Sequence, residues 1–141
     1  MYTLTRKMNN IVRCMNRYRT ELLAPLDLKS CHAGYLLEIC ACPGISQEQL
    51  SRRIYANKSN VARQLAVLEE SGYVCRLPGE EDRRVMRVYP TEKARAVLPR
   101  IQEIVDSWEE AVAAGLTAEE RENLSALLED MTRRAAALLE E

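Results

Sequence analysis

Three groups of residues in this chain of 141 carry side chains suited to chemistry. In "PGEEDRR", residues 78–84, Glu80, Glu81 and Asp82 are followed at once by Arg83 and Arg84. Adjacent guanidinium groups suit phosphate or the edges of bases, so the acids beside them need a reason. In "NKSNVARQL", residues 57–65, short hydrogen-bonding side chains precede Arg63. An arginine so placed can fork onto guanine or clamp a phosphate. Third, Cys31, His32, Cys40 and Cys42 are metal-ligand types close in sequence. On one helix Cys31 and Cys40 stand about 13 Å apart along the axis and on opposite faces. They cannot share a tetrahedral ion, so neither a metal nor another cofactor is expected.

Catalysis finds little support. The single histidine has no evident nucleophile partner, and the chain has neither a glycine-rich phosphate loop nor an obvious pair of catalytic carboxylates. A non-enzymatic protein is expected. Five cysteines, an odd number without paired spacing, read as free thiols in a reducing compartment. Buried, inert thiols are the default. Cys14 is the candidate for a redox role, because it lies about 90° from the apolar stripe of its helix and has the cations of Arg13 and Arg17 nearby in sequence.

Positioning these groups requires elements, and the hydrophobic spacing supplies them. Leu4, Met8, Ile11, Met15, Tyr18 and Leu22 predict an amphipathic helix over residues 4–23, ended by Pro25. Ser30 is the expected N-cap of a second helix that stops at "CPG". Ser46 and Gln49 form a capping-box pair for a short third helix, and Asn57 caps a fourth that Gly72 closes. "YVCRL" and "VMRVY" then predict a hairpin around the mixed-charge turn. Thr91 opens a long helix to about residue 114, with a kink expected at Pro99. Thr117 and Glu120 open a last helix with Leu124, Leu127, Leu128, Met131, Leu138 and Leu139 at heptad-like spacing.

The fold class is therefore mainly α with a small β-hairpin. A short helix, a second helix and a hairpin in that order make a winged helix-turn-helix. On the fourth helix Val61, Leu65 and Leu68 share one face, leaving Arg63 on the other, flanked by Ser59 and Asn60. Lys58 sits at its N-terminus, where free amides already favour phosphate. Charge is uneven: residues 46–95 carry a net +3 and residues 96–141 a net −7. That suits an anionic partner for the middle of the chain alone. No run approaches the ~18 apolar residues a membrane span needs, and the N-terminus has no signal-peptide core, so a cytoplasmic protein is expected.

The stretch "SQEQLSRRIYANKSNVARQLAVLEESGYVCRLPGEEDRRVMRVYPTEKA" resembles the DNA-binding core of the multiple antibiotic resistance regulator (MarR) family. Its most specific part is the wing pattern, carried here by Asp82, Arg84, Val88, Pro90 and Thr91. Helices before and after are placed as in the family. The resemblance implies a homodimer that binds a pseudo-palindromic DNA operator and represses transcription until a small molecule or an oxidant releases it. It divides the chain into an N-terminal dimerisation helix (1–29), a DNA-binding lobe (30–90) and a long kinked helix with a C-terminal dimerisation helix (91–141).

Mapped by resemblance, the recognition helix supplies Ser59, Asn60, Arg63 and Gln64 to the major groove, and Arg84 enters the minor groove. Arg83 is the phosphate candidate; Lys58 and the two helix caps, Ser46 and Asn57, complete the expected contact set. Two residues before Arg84, Asp82 can hold its guanidinium in a fork and limit its rotamers. Family ligands bind between the dimerisation helices and the DNA-binding lobe, which makes Arg13, Arg17, His32 and Tyr35 the candidates for a phenolic or carboxylate effector. Three departures stand out. Pro90 replaces a usual Leu and predicts an early end to the second wing strand. Tyr55 stands where Gly is common, so a different turn is expected there, and Val67 occupies an outward position that is often basic. The competing readings are a thiol-based oxidant sensor of the same fold and a winged-helix adaptor that binds protein.

Overall fold

The structure, a computed structural model, describes residues 3–140. It is mostly helical with one small antiparallel sheet. Helix α1 (Thr3–Leu23) ends where Ala24–Leu26 tighten into a 3-10 turn containing Pro25. Next come α2 (His32–Ala41), β1 (Ile45–Ser46), α3 (Gln47–Arg53) and α4 (Lys58–Glu70). Strands β2 (Val74–Pro78) and β3 (Met86–Pro90) form the wing, and α5 (Glu92–Val112) and α6 (Ala118–Ala137) complete the chain. Compact packing divides at Asp106/Ser107, inside α5.

In the first unit Leu36 and Ile39 of α2, Leu50 of α3, Val61, Leu65 and Leu68 of α4, Val88 of β3 and Ile101 and Ile104 of α5 are all at most 1 % exposed. Each buried Leu or Ile contributes about 1.5–3 kcal/mol through water exclusion, and the three α4 residues fix which face of that helix turns outward. Tyr73 closes the lobe: its hydroxyl donates to the Leu26 carbonyl, and Lys93 sits 4.4 Å above its ring. The caps at Ser46, Asn57 and Thr117 form as expected, with the Ser46–Gln49 and Thr117–Glu120 boxes both reciprocal. Thr91 Oγ1 accepts from the Ala94 amide at the start of α5.

Tertiary structure adds to the local expectation at the wing, where the expected hairpin forms, and overrides it at Ser30 and Pro90. The wing is part of a three-stranded sheet in the order β1-β3-β2, not a free hairpin, because Ile45 and Ser46 pair with Val88 and Arg87. Ser30 is not the cap of α2: its hydroxyl donates to Asn16 Oδ1 on α1 at 2.8 Å, and α2 opens without a side-chain cap bond. Pro90 does not shorten the wing strand. It pairs with Val74 as the last residue of β3, where its missing N–H costs least, and the Thr91 amide donates to the Tyr73 carbonyl beyond it. Tyr55 adopts φ +55°, the left-handed conformation that glycine takes without strain. A non-glycine residue held there costs on the order of 1–3 kcal/mol.

The second unit begins at Ser107. Leu116 and Thr117 turn the chain from α5 into α6, and Arg121 donates to the Ala113 carbonyl at 3.1 Å. Helix α6 has no buried residue. Leu124, Leu127 and Leu128 are 46 %, 62 % and 42 % exposed. On α1 Leu4, Ile11 and Val12 are similarly uncovered. Among the described residues no helix is long and apolar enough to cross a membrane.

Candidate nucleic-acid interface

The capping bond of Asn57 starts the site. Its Oδ1 accepts from the Asn60 amide at 2.7 Å and from Ser59 Oγ at 3.1 Å, so the cap also orders a neighbouring side chain. Asn60 Oδ1 in turn faces Arg63 Nη2 at 3.4 Å. Ser59 and Arg63 are exposed, on the face opposite Val61, Leu65 and Leu68. The outward face of α4 thus carries donors and acceptors that already restrain one another. Val67 also lies on it, 37 % exposed, and offers only apolar contact.

Between the start of α3 and the wing lies an open cleft of about 250 Å³. Ser46, Gln47, Glu48 and Lys58 line one part of it, and Arg84, Val85 and Met86 the other. Ser46 is buried and its hydroxyl is committed to the Gln49 amide. Lys58 lies 3.4 Å from Glu48, which also pairs with Arg52 at 3.0 Å. These pairs are exposed and worth little in themselves. Both cations remain available to a stronger anion.

At the tip of the wing, Asp82 grips Arg84 three ways. Arg84 Nε donates to Oδ1 and Nη2 to Oδ2, each at 3.1 Å, and the Arg84 amide donates to Oδ1 at 3.0 Å. The Asp82 carboxyl is held below its ordinary pKa by these bonds, the side-chain ones first. The Arg84 side chain is nevertheless 90 % exposed. It is a cation fixed in direction and open to solvent. The turn behind it is closed by Gly79 N–H to the Val85 carbonyl at 2.7 Å. A Cβ on Gly79 would stand 2.9 Å from the Asp82 carbonyl oxygen, so the tight turn requires glycine. Arg83 is exposed beside Arg84.

Not every expected residue faces this surface. Gln64 turns back toward α2, where its Oε1 meets His32 Nε2 at 2.9 Å and Cys31 Sγ at 3.8 Å. His32 is 1 % exposed, and its Nδ1 accepts from the Lys29 amide at 3.0 Å. With both ring nitrogens engaged, it has no polar atom free for an effector. Tyr35 is buried with its ring edge-on to His32, the centroids 6.4 Å apart, and its hydroxyl has no partner among the described residues. Arg17 instead shares an open depression on α1 with Cys14, Tyr18 and Glu21. Arg13 is exposed on the same helix. The structure thus brings His32 to Tyr35 and Arg17 to Cys14, and the depression on α1 does not reach the α2 pair.

One residue that sequence reasoning passed over ties the site together. Arg76 of β2 reaches Glu69 Oε1 of α4 and Gln47 Oε1 of α3, both at 3.2 Å, and its amide donates to Glu69 Oε2 at 3.1 Å. Its side chain is 21 % exposed, and it lowers the pKa of Glu69 chiefly through the side-chain bond. The wing is thereby anchored to both helices of the helix-turn-helix. The signal in the sequence is the Glu69–Arg76 pair spanning the Gly72 turn, where helix and strand must fold back on each other. Arg87 adds a second anchor, donating to the Gly44 carbonyl at 2.9 Å.

Comparison with known proteins places these features in a family. Residues 35–86 match the profile of the MarR family. The chain is 32% identical over 128 residues to the uncharacterized HTH-type transcriptional regulator YybA of Bacillus subtilis (strain 168), covering 91% of this chain and 85% of that one. A MarR transcriptional regulator from Methanosarcina mazei Go1 superposes with a TM-score of 0.87 at 26% identity, over 98% of this chain and 99% of its own. A mutant MarR from E. coli, solved in complex with operator DNA, superposes with a TM-score of 0.82 at 25% identity, over 92% and 94% of the two chains.

Proposed function

The chain belongs to the MarR family, and from that premise we propose that it is a dimeric, sequence-specific DNA-binding regulator, a repressor that leaves its operator when a small effector binds. The observation that carries the reading is a pair of differently built polar surfaces, one on α4 and one on the wing, with Lys58 at the start of α4 and Arg84 of the wing lining one cleft. The outward face of α4 presents Ser59, Asn60 and Arg63, and the wing presents Arg84 already forked on Asp82. A helix with short polar side chains and an arginine reads the major groove by hydrogen bonds. An exposed arginine on a narrow projection reads minor-groove width and potential. Arg83 and Lys58 are assigned to phosphates, and Asn57 acts through the order it imposes on Ser59 and Asn60. The E. coli relative bound to operator DNA supports the same use of this fold.

Dimerisation rests on the uncovered apolar positions of α1 and α6. Effector release is assigned to the N-terminal helix, where Arg13 and Arg17 offer a carboxylate or phenolate its charge partner. A cytoplasmic location follows from this role.

The experiment is retention of the DNA fragment upstream of the protein's own gene against random DNA of equal length. Selective, salt-sensitive retention is expected, with log affinity falling by about 0.9 per log salt for each phosphate neutralised. No retention at low salt would turn the reading toward a protein-binding adaptor. A second expectation concerns Asp82. Asp82→Ala removes a negative charge from the DNA face, which by long-range electrostatics alone would tighten binding. It also frees the Arg84 guanidinium. Restoring about 0.5–1.5 kcal/mol of side-chain freedom outweighs one screened charge, so affinity for the retained fragment should drop about three- to tenfold in fluorescence anisotropy. Tighter binding would show that Asp82 merely repels.

A further inference from the structure

His32 is buried yet bonded directly to the recognition helix, and the roles of its two nitrogens are fixed. Nδ1 must accept, because the Lys29 backbone amide donates to it at 3.0 Å. The ring proton therefore sits on Nε2, which donates to Gln64 Oε1 at 2.9 Å. Gln64 follows Arg63 on α4, and the Cys31 thiol meets the same amide oxygen at 3.8 Å. Hydrophobic contacts of Val61, Leu65 and Leu68 set which face of α4 is inward, but apolar packing is non-directional. The His32–Gln64 bond is directional and lies on the flank of the helix, where a small roll would re-aim Asn60 and Arg63.

Resting on the DNA-binding reading above, we propose that His32 is a positioning residue for the recognition helix. Its neutral imidazole, through Gln64, fixes the roll of α4, and proton uptake by the ring loosens operator binding. A proton on Nδ1 would face the Lys29 N–H, donor against donor, abolish that bond and free the ring from the position in which its Nε2 meets Gln64. The charged and titratable groups around the ring are Lys29 and Asp27 from the preceding loop, Cys31 just before α2 and Tyr35 of α2. Gln64, the group that α4 presents to it, is uncharged. Burial is the main cause that holds the His32 pKa below its ordinary 6.5, with Lys29 lowering it further and Gln64 and Asp27 opposing. The unfolded or released ring thus takes up a proton more readily than the ring in place. The stabilisation by the neutral ring is present in full above the ordinary value of 6.5 and is lost as pH falls further, through the depressed pKa of the ring in place.

His32 is the only histidine in the chain, so the test is clean. The probe is the DNA fragment retained in the experiment above, titrated by anisotropy between about pH 7.5 and about pH 5.5, the range in which histidine is the main titrating side chain. Wild-type affinity should fall about three- to tenfold across that range, the scale of one hydrogen bond. His32→Gln keeps a donor toward Gln64 and does not titrate; it should bind like wild type at the upper pH and show no fall. His32→Ala and Gln64→Leu should bind more weakly at the upper pH and likewise be flat. Gln64→Leu changes a half-buried position and keeps the measurement available should His32→Ala not fold. A pH slope shared by wild type and His32→Gln, or wild-type affinity in both Gln64→Leu and His32→Ala, overturns the proposal. Failure of wild type to bind the fragment at any pH instead removes the DNA-binding reading beneath it.

Discussion

Arg84→Ala should lower affinity for the proposed operator by about 10- to 100-fold, equivalent to roughly 1.4–2.7 kcal/mol, and leave the fold untouched. The fold is spared because the Arg84 side chain is 90 % exposed and, among the described residues, bonds only to Asp82. A surface substitution of that kind usually stays within about 0.5 kcal/mol in stability. Affinity is not spared, because this arginine is held in one direction before DNA arrives. Two guanidinium bonds to Asp82 remove rotamers that would otherwise be lost on insertion, and the Arg84 amide holds the carboxylate in place. Two signatures separate minor-groove insertion from simple charge attraction. The slope of log affinity against log salt should drop by about one. Exchanging A·T for G·C pairs under the wing should weaken wild type and leave the variant nearly indifferent. Arg84→Lys should restore the charge but not the affinity, since an ammonium cannot make the parallel fork onto Asp82. Unchanged affinity at several salt concentrations would remove the wing from the mechanism.

What could be read from the sequence here, and what could not, divides by the range of the interaction. Asp82 and Arg84 are two residues apart, and both capping boxes span three, so type and spacing alone imply the contact. Val61, Leu65 and Leu68 announce the inner face of α4 by helical period, and the outward residues follow. Strand β1 has two residues and so no period to detect; it exists because β3 offers an edge. The same holds for the supports of the site. His32 and Gln64 are separated by 32 positions and Arg76 and Gln47 by 29. No local pattern pairs them, and the packing that brings them together is set by other residues. Ser30 shows the reverse error. Its type fits a cap, but Asn16 competes for the hydroxyl. Local chemistry thus revealed the groups proposed to touch DNA, while the groups that aim them became visible only with the fold.

The second large effect is expected far from that surface. Replacing Leu127 and Leu128 with Glu should convert a dimer to a monomer in sedimentation and weaken operator binding by more than about 100-fold. Helix α6 has no buried residue, and its two central leucines are 62 % and 42 % exposed. A 20-residue helix that leaves such a stripe in water gains little from folding alone, since isolated helices owe most of their stability to a packed face. Covering the stripe with a second copy supplies that face. Its consequence for DNA binding follows from geometry more than from charge, because residues 96–141 carry a net −7 and are unsuited to phosphate. Two reading heads on one rigid dimer bind two half-sites as a unit, and linking two sites raises overall affinity by about 10²–10⁴ over either alone. A monomer forfeits that factor even with Arg63 and Arg84 intact, so its residual binding should be to single half-sites and insensitive to their spacing. Two added carboxylates per chain oppose each other across a two-fold interface, which makes the effect larger than that of Leu→Ala at the same positions. If the helix instead folds back on its own chain, wild type will sediment as a monomer and the double variant will lose thermal stability with no change in mass.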